Sequence, residues 1–217
     1  MASKTELTYR LLTDEDLDEV IKFIQTHFIP FEPLSAAANV KAEEEKEFPR
    51  ILIKNSLWQA ASIGAFDNST GELCAVRVNS LGKNNDRLVP EDESMSTAKM
   101  HKVQRILRAI KGGMLKNVVG TENYMEHIFV SVNQAYAKRG IATELYRRSE
   151  LLANQHGCKK LIAICSNSYT RRSTEKIGYK LINEIKYDNY IDEVTGEKPF
   201  ANMKTPHSTI SLVVKTL

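Results

Sequence analysis

A strand, a basic loop and a helix follow one another in residues 128–145, whose sequence is IFVSVNQAYAKRGIATEL. Lys138 and Arg139 precede Gly140, and Ile141 opens an amphipathic helix. A helix N-terminus offers free backbone N–H groups and the positive end of the helix dipole, which together suit a diphosphate. Glycine at the corner lets a ligand approach the main chain closely. A strand-turn-helix joint with a corner glycine also occurs without any phosphate site, so the loop alone leaves both interpretations open.

The elements around this segment predict one α/β domain. Six short apolar strands are predicted before the C-terminal region, at residues 7–12, 60–66, 73–78, 128–132, 161–165 and 179–187. Alternating apolar residues at 210–214 predict a last strand, and the turn residues DNSTG at 67–71 predict an antiparallel hairpin. The helix after Gly140 predicts one parallel step. We therefore expect a single domain over residues 1–217, with a mixed, mostly antiparallel sheet flanked by helices.

Helices are predicted from capping residues and apolar spacing. Thr13 is placed to cap a first helix that ends before Pro30, and Ser35 to cap a second one. Apolar spacing from Met100 onwards predicts a helix that ends at or near Gly112 and Gly113, and residues 166–168 are placed to cap a later helix. The helix that begins near Met100 also has basic residues, without the interleaved aromatic series of a nucleic-acid site. A solvated helix face is the favoured interpretation of Lys99, Lys102, Arg105 and Arg108.

The bulk composition is that of an ordinary globular protein and argues against several other classes. Hydrophobic residues make up 42% of the 217 and charged residues 26%. The net charge of +3 is small for a dedicated nucleic-acid binder. Three cysteines cannot all pair and show no CxxC spacing, which indicates a reducing compartment and no structural zinc. The N-terminus lacks an apolar signal core and no stretch is long enough to span a membrane, so we expect a cytoplasmic protein.

Six short motifs occur in a fixed order along the chain. They are FEPL at 31–34, VSV at 130–132, RGIA at 139–142, CSNSYT at 165–170, EKIGY at 175–179 and PH at 206–207. With these motifs the chain resembles the GNAT superfamily of acyl-CoA-dependent N-acetyltransferases over nearly its whole length. FEPL and PH are most similar to the arylalkylamine N-acetyltransferases of invertebrates. The resemblance implies a GNAT-like fold, acetyl-CoA as co-substrate and no metal.

Two positions depart from the superfamily pattern. The phosphate loop of the superfamily begins with Arg or Gln, where this chain has Ala137. Backbone amides make most such contacts, and Lys138 and Arg139 either supply the missing charge or lie in solvent. On the helix after Asn167, many members have a tyrosine that protonates the leaving thiolate, and this chain has Thr174. The arylalkylamine branch also lacks that tyrosine, so Thr174 agrees with the branch and leaves the general acid open.

The resemblance assigns acetyl-CoA to the segment from Val130 to Ala142. The backbone of Val130 and Val132 is expected to pair with the pantetheine arm, and an amide near Val130 to face the thioester oxygen. The loop amides are expected to surround the pyrophosphate. The implied contacts are Val130, Ser131, Val132, Ala137, Lys138, Arg139, Gly140, Ile141, Ala142 and Ser166.

The resemblance also implies a general base, Glu32. An alkylammonium is mostly protonated at neutral pH, so a base is needed before its nitrogen can attack. The alternative is a loop glutamate that caps a helix or meets a surface lysine. Ser166 and Thr170 match positions where the arylalkylamine branch has serines proposed to assist proton transfer. Their alternatives are a helix cap and an ordinary first-turn residue.

Phe31, Glu32 and His207 are implied as the lining of the amine site. A lone histidine is more often structural, and His127 is expected only to pack at the end of its strand. Tyr169 is either a candidate acid or a packing residue.

The implied reaction is transfer of an acetyl group to the primary amine of a small molecule, in the first place an arylalkylamine, by direct attack in a ternary complex. The alternatives are a protein, peptide or polyamine N-acetyltransferase and a non-catalytic acyl-CoA-binding relative, the last suggested by Ala137 and Thr174. The expected partners are acetyl-CoA and the amine, without nucleic acid or membrane. The oligomeric state stays open.

Overall fold

The computed structural model describes residues 6–45, 47–82, 96–203 and 206–217, with the backbone alone at 47 and 48. Its strands form one sheet in the order β1-β2-β3-β4-β5-β7-β6. The neighbours are antiparallel except β4 and β5, which are parallel. The predicted hairpin and the predicted parallel step are therefore both confirmed. The strands are β1 Leu7–Leu11, β2 Ile63–Asp67, β3 Leu73–Gly82, β4 Tyr124–Val132, β5 Lys160–Cys165, β6 Lys180–Lys186 and β7 Thr209–Thr216.

Helices cover both faces of the sheet. Consecutive residues of a strand point to opposite faces, so that Tyr124 and Ile162 enter the core layer with α1 and α4, whereas Met125 and Leu161 enter the layer beneath α6. The crossover helix α6 follows the basic loop, as predicted. The helices are α1 Leu17–His27, α2 Pro33–Ala37, α3 Glu47–Trp58, α4 Ala98–Lys111, α5 Met114–Val119, α6 Ile141–Gln155 and α7 Ser168–Lys176.

The sheet opens between its two parallel strands. β4 and β5 pair from Tyr124 with Lys160 to His127 with Ala163, and no further. Beyond that point β4 stays paired with β3, and β5 with β7. On β4, Ile128 is an extra residue between two partners of β3, which is a β-bulge. A bulge bends its strand and increases the local twist, so the opening begins where the bulge lies.

The helix predicted to end at or near Gly112 and Gly113 ends at Lys111, directly before Gly112, whose φ is +42°, so this prediction is confirmed. Two other local predictions are wrong. Ser35 does not cap the second helix: Glu32 does, and its side chain accepts the Ser35 N–H. Arg105 is not part of a solvated face, since it is buried and its guanidinium donates to Asp192 at 2.8 Å. Burial of a charged residue depends on a partner distant in the chain, which helical spacing does not show.

Candidate active site

Two cavities lie at the opening of the sheet. The larger, of about 280 Å³, runs along the end of β4 and the start of α7, and we name it the cleft cavity. The smaller, of about 200 Å³, lies between β4, α4 and the segment 28–35, and we name it the side pocket. Both are lined by Glu32, Ile128 and Ser166, among others, so these residues stand where the two cavities adjoin.

The loop after β4 exposes its main chain. Lys138 and Gly140 have left-handed backbones, with φ of +62° and +79°, and α6 begins at Ile141. Within the described chain, the amides of residues 138–143 have no hydrogen-bond partner, as expected for the first turn of a helix. A Cβ added at Gly140 would meet nothing within 4 Å. The left-handed backbone, rather than crowding, therefore favours glycine at this position, and the space beside it is open. The predicted contacts from Ala137 to Ala142 thus form one N–H-rich corner, which suits an anion.

Tyr136 holds this loop against the hairpin. Its hydroxyl donates to Asp67 at 2.6 Å, and that hydrogen bond, with burial, raises the pKa of Tyr136 to about 12. Hydrogen bonds from Ser69 and Tyr136 lower the pKa of Asp67 to about 2. Arg139 stacks on the Tyr136 ring and donates to the Ala135 carbonyl. The Arg139 side chain therefore folds back onto its own loop.

Glu32 combines the two interpretations that the sequence left open. Its Oε2 accepts the Ser35 N–H at 2.6 Å and caps α2. Its Oε1 is buried and has no partner among the described residues. Because Glu32 lines both cavities, a fixed carboxylate with one free oxygen stands at their boundary.

The start of α7 brings the predicted serine and threonine to the cleft. Ser166 follows β5 and lines both cavities, and Thr170 lines the cleft cavity. The helix cap is Asn167, whose side chain accepts the Thr170 N–H at 2.8 Å. The Ser166 hydroxyl is therefore not used as a cap, and the Ser166 carbonyl accepts the Tyr187 hydroxyl at 2.7 Å.

Of the other residues predicted at the amine site, one lines the cleft cavity and one lies outside both cavities. Phe31 is 60% exposed and lines the cleft cavity. His207 lies beside α7, with Nδ1 3.5 Å from the Ser168 hydroxyl and its ring against Tyr169. Neither His207 nor Tyr169 lines either cavity. The structure therefore brings Phe31 to the opening and leaves His207 outside it.

His127 corrects a prediction, because it lies within β4 and is held in a buried network rather than at a strand end. Its Nδ1 is 2.7 Å from the Asn79 amide oxygen and its Nε2 is 2.6 Å from the Tyr179 hydroxyl. Burial, followed by the charge of Arg77, holds the pKa of His127 well below its usual value. The imidazole is thus neutral at pH 7, with Nδ1–H donating to Asn79 and Nε2 accepting from Tyr179.

The side pocket is apolar along much of its wall, and Glu126 is among its polar lining residues. Phe28 and Phe129 meet edge to face, with ring centroids 5.0 Å apart. Glu126 also lines the pocket, and one of its oxygens pairs with Lys111 at 2.5 Å. The other oxygen, Oε2, is buried without a partner in the described chain.

Two cavity residues, Arg77 and Tyr146, escaped the sequence interpretation. Arg77 is the one charged residue of the sequence CAVRV at 74–78, and it is 2% exposed in β3. A charge in the middle of a short apolar strand is the signal that could have found it, since a charged residue is seldom fully buried without a partner. Tyr146 gives no such signal, because a tyrosine on the inner face of an amphipathic helix is ordinarily interpreted as a residue of the hydrophobic core.

A family model matches part of the chain. Residues 97–179 match the model described as Acetyltransferase (GNAT) family. The match runs from the cap of α4 to the residue before β6, and so contains the opening between β4 and β5, the exposed loop and α7. In the described chain, no helix is both long and apolar enough to cross a membrane.

Solved structures with the same fold cover almost the whole chain. Arylalkylamine N-acetyltransferase 2 from Aedes aegypti is 22% identical, with a TM-score of 0.80 over 97% of this chain and 99% of that one. Drosophila melanogaster polyamine N-acetyltransferase is 17% identical, with a TM-score of 0.82 over 98% and 100%. The C-terminal condensation domain of Ebony, in complex with β-alanyl-dopamine, is 15% identical, with a TM-score of 0.84 over 98% and 100%. These likenesses confirm the predicted fold.

Proposed function

We propose that this chain, an acetyl-CoA-dependent N-acetyltransferase with a GNAT-family domain, transfers the acetyl group to the primary amine of a small molecule. The observation that carries the proposal is the free Oε1 of Glu32, which is buried at the boundary of the two cavities. A carboxylate in this position can accept the proton of an amine that enters from the side pocket and attacks a thioester in the cleft cavity.

The proposed acetyl-CoA site follows the end of β4. Past His127 this edge of β4 no longer pairs with β5, so the backbone of Val130 and Val132 is available to an extended pantetheine chain. The unpaired amides of residues 138–143 lie at the N-terminus of α6 and suit the pyrophosphate. Ala137 is compatible with this role because main-chain groups supply the donors.

The chemistry is assigned to Glu32 as general base. Its cap to Ser35 fixes the carboxylate through Oε2 and leaves Oε1 to take the amine proton. The nitrogen then attacks the thioester carbon within a ternary complex, and a main-chain N–H near Val130 stabilises the oxygen where negative charge develops. Positioned proton transfer of this kind contributes roughly 10²–10⁴-fold to a rate.

The walls of the side pocket favour an amine with an apolar body. The edge-to-face pair Phe28–Phe129 and the aliphatic residues around it provide the contacts that an aromatic ring prefers, so an arylalkylamine is the first proposed substrate class. The free Oε2 of Glu126 supports a second class, a diamine or polyamine, because a second ammonium group would satisfy that buried acceptor.

Thiol release from acetyl-CoA with a panel of arylalkylamines, polyamines and peptides tests the proposal. We expect turnover with one amine class and a loss of about 10²-fold in kcat in Glu32→Gln, whose amide oxygen can still cap α2. Glu45→Gln is the matched control, because Glu45 is also buried, also accepts the N–H at the start of a helix and lines neither cavity. Acetyl-CoA binding without turnover on any amine would instead indicate a non-catalytic relative.

A further inference from the structure

Two buried side chains line the cleft cavity, and each has polar atoms without a hydrogen-bond partner among the described residues. Arg77 lies in β3, and its Nε and Nη2 atoms have no hydrogen-bond partner in the described chain. Tyr146, in α6, has a buried hydroxyl that also lacks one. The ion pairs formed by described residues do not include Arg77. Both residues line the cavity in which the proposed function places the thioester.

The two side chains form one unit. The Arg77 guanidinium lies over the Tyr146 ring, with Cζ 4.0 Å from the ring centroid. The nearby His127 is neutral at pH 7 and supplies no counter-charge. A buried cation without a counter-charge is strongly unfavourable. The compensating negative charge is therefore expected from a ligand in the cavity.

Acetyl-CoA carries or develops negative charge at three groups during the reaction. For two of them, hydrogen-bond donors have already been proposed. The phosphates are assigned to the amides of residues 138–143, and the thioester oxygen to a main-chain N–H near Val130. The third is the sulfur, which gains an electron pair when it leaves. In the superfamily pattern a residue of the helix after Asn167 serves the sulfur, but here the Thr174 hydroxyl donates to the Arg171 carbonyl and lines neither cavity.

Resting on the proposed function, we propose that Arg77 and Tyr146 stabilise the departing sulfur of CoA. As the C–N bond forms, the C–S bond breaks, and its electron pair stays on the sulfur, which leaves as a thiolate. The Tyr146 hydroxyl donates a hydrogen bond to that sulfur, and the Arg77 cation balances its charge. Glu32 takes the proton that the ammonium group loses before attack, and the second proton of the nitrogen passes to solvent as the amide forms. Arginine keeps its protons, so the thiolate takes its proton from solvent after release.

The test uses Tyr146→Phe and Arg77→Met. Each variant removes an unpartnered polar group from the interior, so we expect the Tm of the ligand-free protein to stay the same or rise, while kcat falls at least about 10-fold. Arg77→Lys keeps the charge and should retain more of kcat than Arg77→Met. The thiol of bound CoA, titrated by its ultraviolet absorbance, should ionise about one pH unit lower in wild type than in Arg77→Met.

Tyr179→Phe is the matched control, because Tyr179 is a buried tyrosine that lines neither cavity and whose hydroxyl donates to His127. It should lose Tm and keep kcat within about twofold. The proposal is overturned if Tyr146→Phe behaves like this control, if Arg77→Met fails to fold, or if the bound thiol titrates identically in wild type and Arg77→Met.

Calorimetry of CoA with the wild type separates the two proposals. If the wild type binds CoA and acetylates an amine but the variants keep their kcat, only the role of Arg77 and Tyr146 is lost. If the wild type binds no CoA, both proposals fail together.

Discussion

The exposed loop at residues 137–142 and the buried cluster of Arg77, His127, Tyr146 and Tyr179 are built differently, although the loop and two members of the cluster, Arg77 and Tyr146, are proposed to serve the same co-substrate. The loop consists of consecutive residues and offers its main chain. The cluster takes one residue each from β3, β4 and α6, and one from the turn before β6, and it offers side chains. Side-chain changes should therefore be tolerated in the loop. In the cluster they should lower kcat at Arg77 and Tyr146, and stability at His127 and Tyr179.

The largest effect on stability is expected from His127→Ala. The substitution leaves the Asn79 amide oxygen and the Tyr179 hydroxyl without partners and opens a cavity in the core, so we expect a loss of about 3 kcal/mol in the free energy of unfolding. Urea unfolding measures it. His156→Ala, at the end of α6, is the control and should cost less than about 1 kcal/mol. A similar loss of unfolding free energy in both variants would contradict the expectation that the buried cluster is sensitive to side-chain changes.

The next largest effect is the dependence of stability on pH that His127 causes. The pKa of His127 is lowered in the folded state, so below about pH 6.5 the unfolded chain takes up a proton that the folded chain does not. Stability is therefore fully present above that pH and falls as the pH is lowered, by up to about 1.4 kcal/mol per unit. Urea unfolding at several pH values from about 7.5 down to about 5 should show this slope in wild type. In His127→Gln the slope should be smaller, and an unchanged slope would assign it elsewhere.

The same difference decides what could be read from the sequence. The loop, the parallel step and the hairpin were predictable because each depends on residues adjacent in the chain. The partners of Arg105, His127 and Arg77 were not, because side chains separated by 87, 48 and 69 positions meet only in the folded sheet. Glu32 stands between these cases: its cap to Ser35 is local, whereas its place between two cavities depends on β4, α4 and α7.

A smaller effect, confined to co-substrate binding, is expected from Gly140→Ala. Because Gly140 has a φ of +79° and open space around it, alanine should cost about 1 kcal/mol of stability through backbone strain alone. The shifted amides should raise the KM for acetyl-CoA about 10-fold, or about 1.4 kcal/mol. Gly157→Ala, at φ +68° and equally open at the far end of α6, should show the same strain and no change in KM. Equal KM values for both variants would show that the loop does not bind acetyl-CoA.

The smallest effect is expected where the chain departs from the superfamily pattern. Ala137 is exposed, and its side chain makes no contribution to the row of free amides that follows it. Ala137→Arg should therefore change the KM for acetyl-CoA by less than about threefold, and raised salt should screen even that. Steady-state kinetics at low and high ionic strength measure both parts. A change well above 10-fold would mean that side-chain charge, rather than the main chain, governs binding at this corner, and the contrast between the loop and the buried cluster would then disappear.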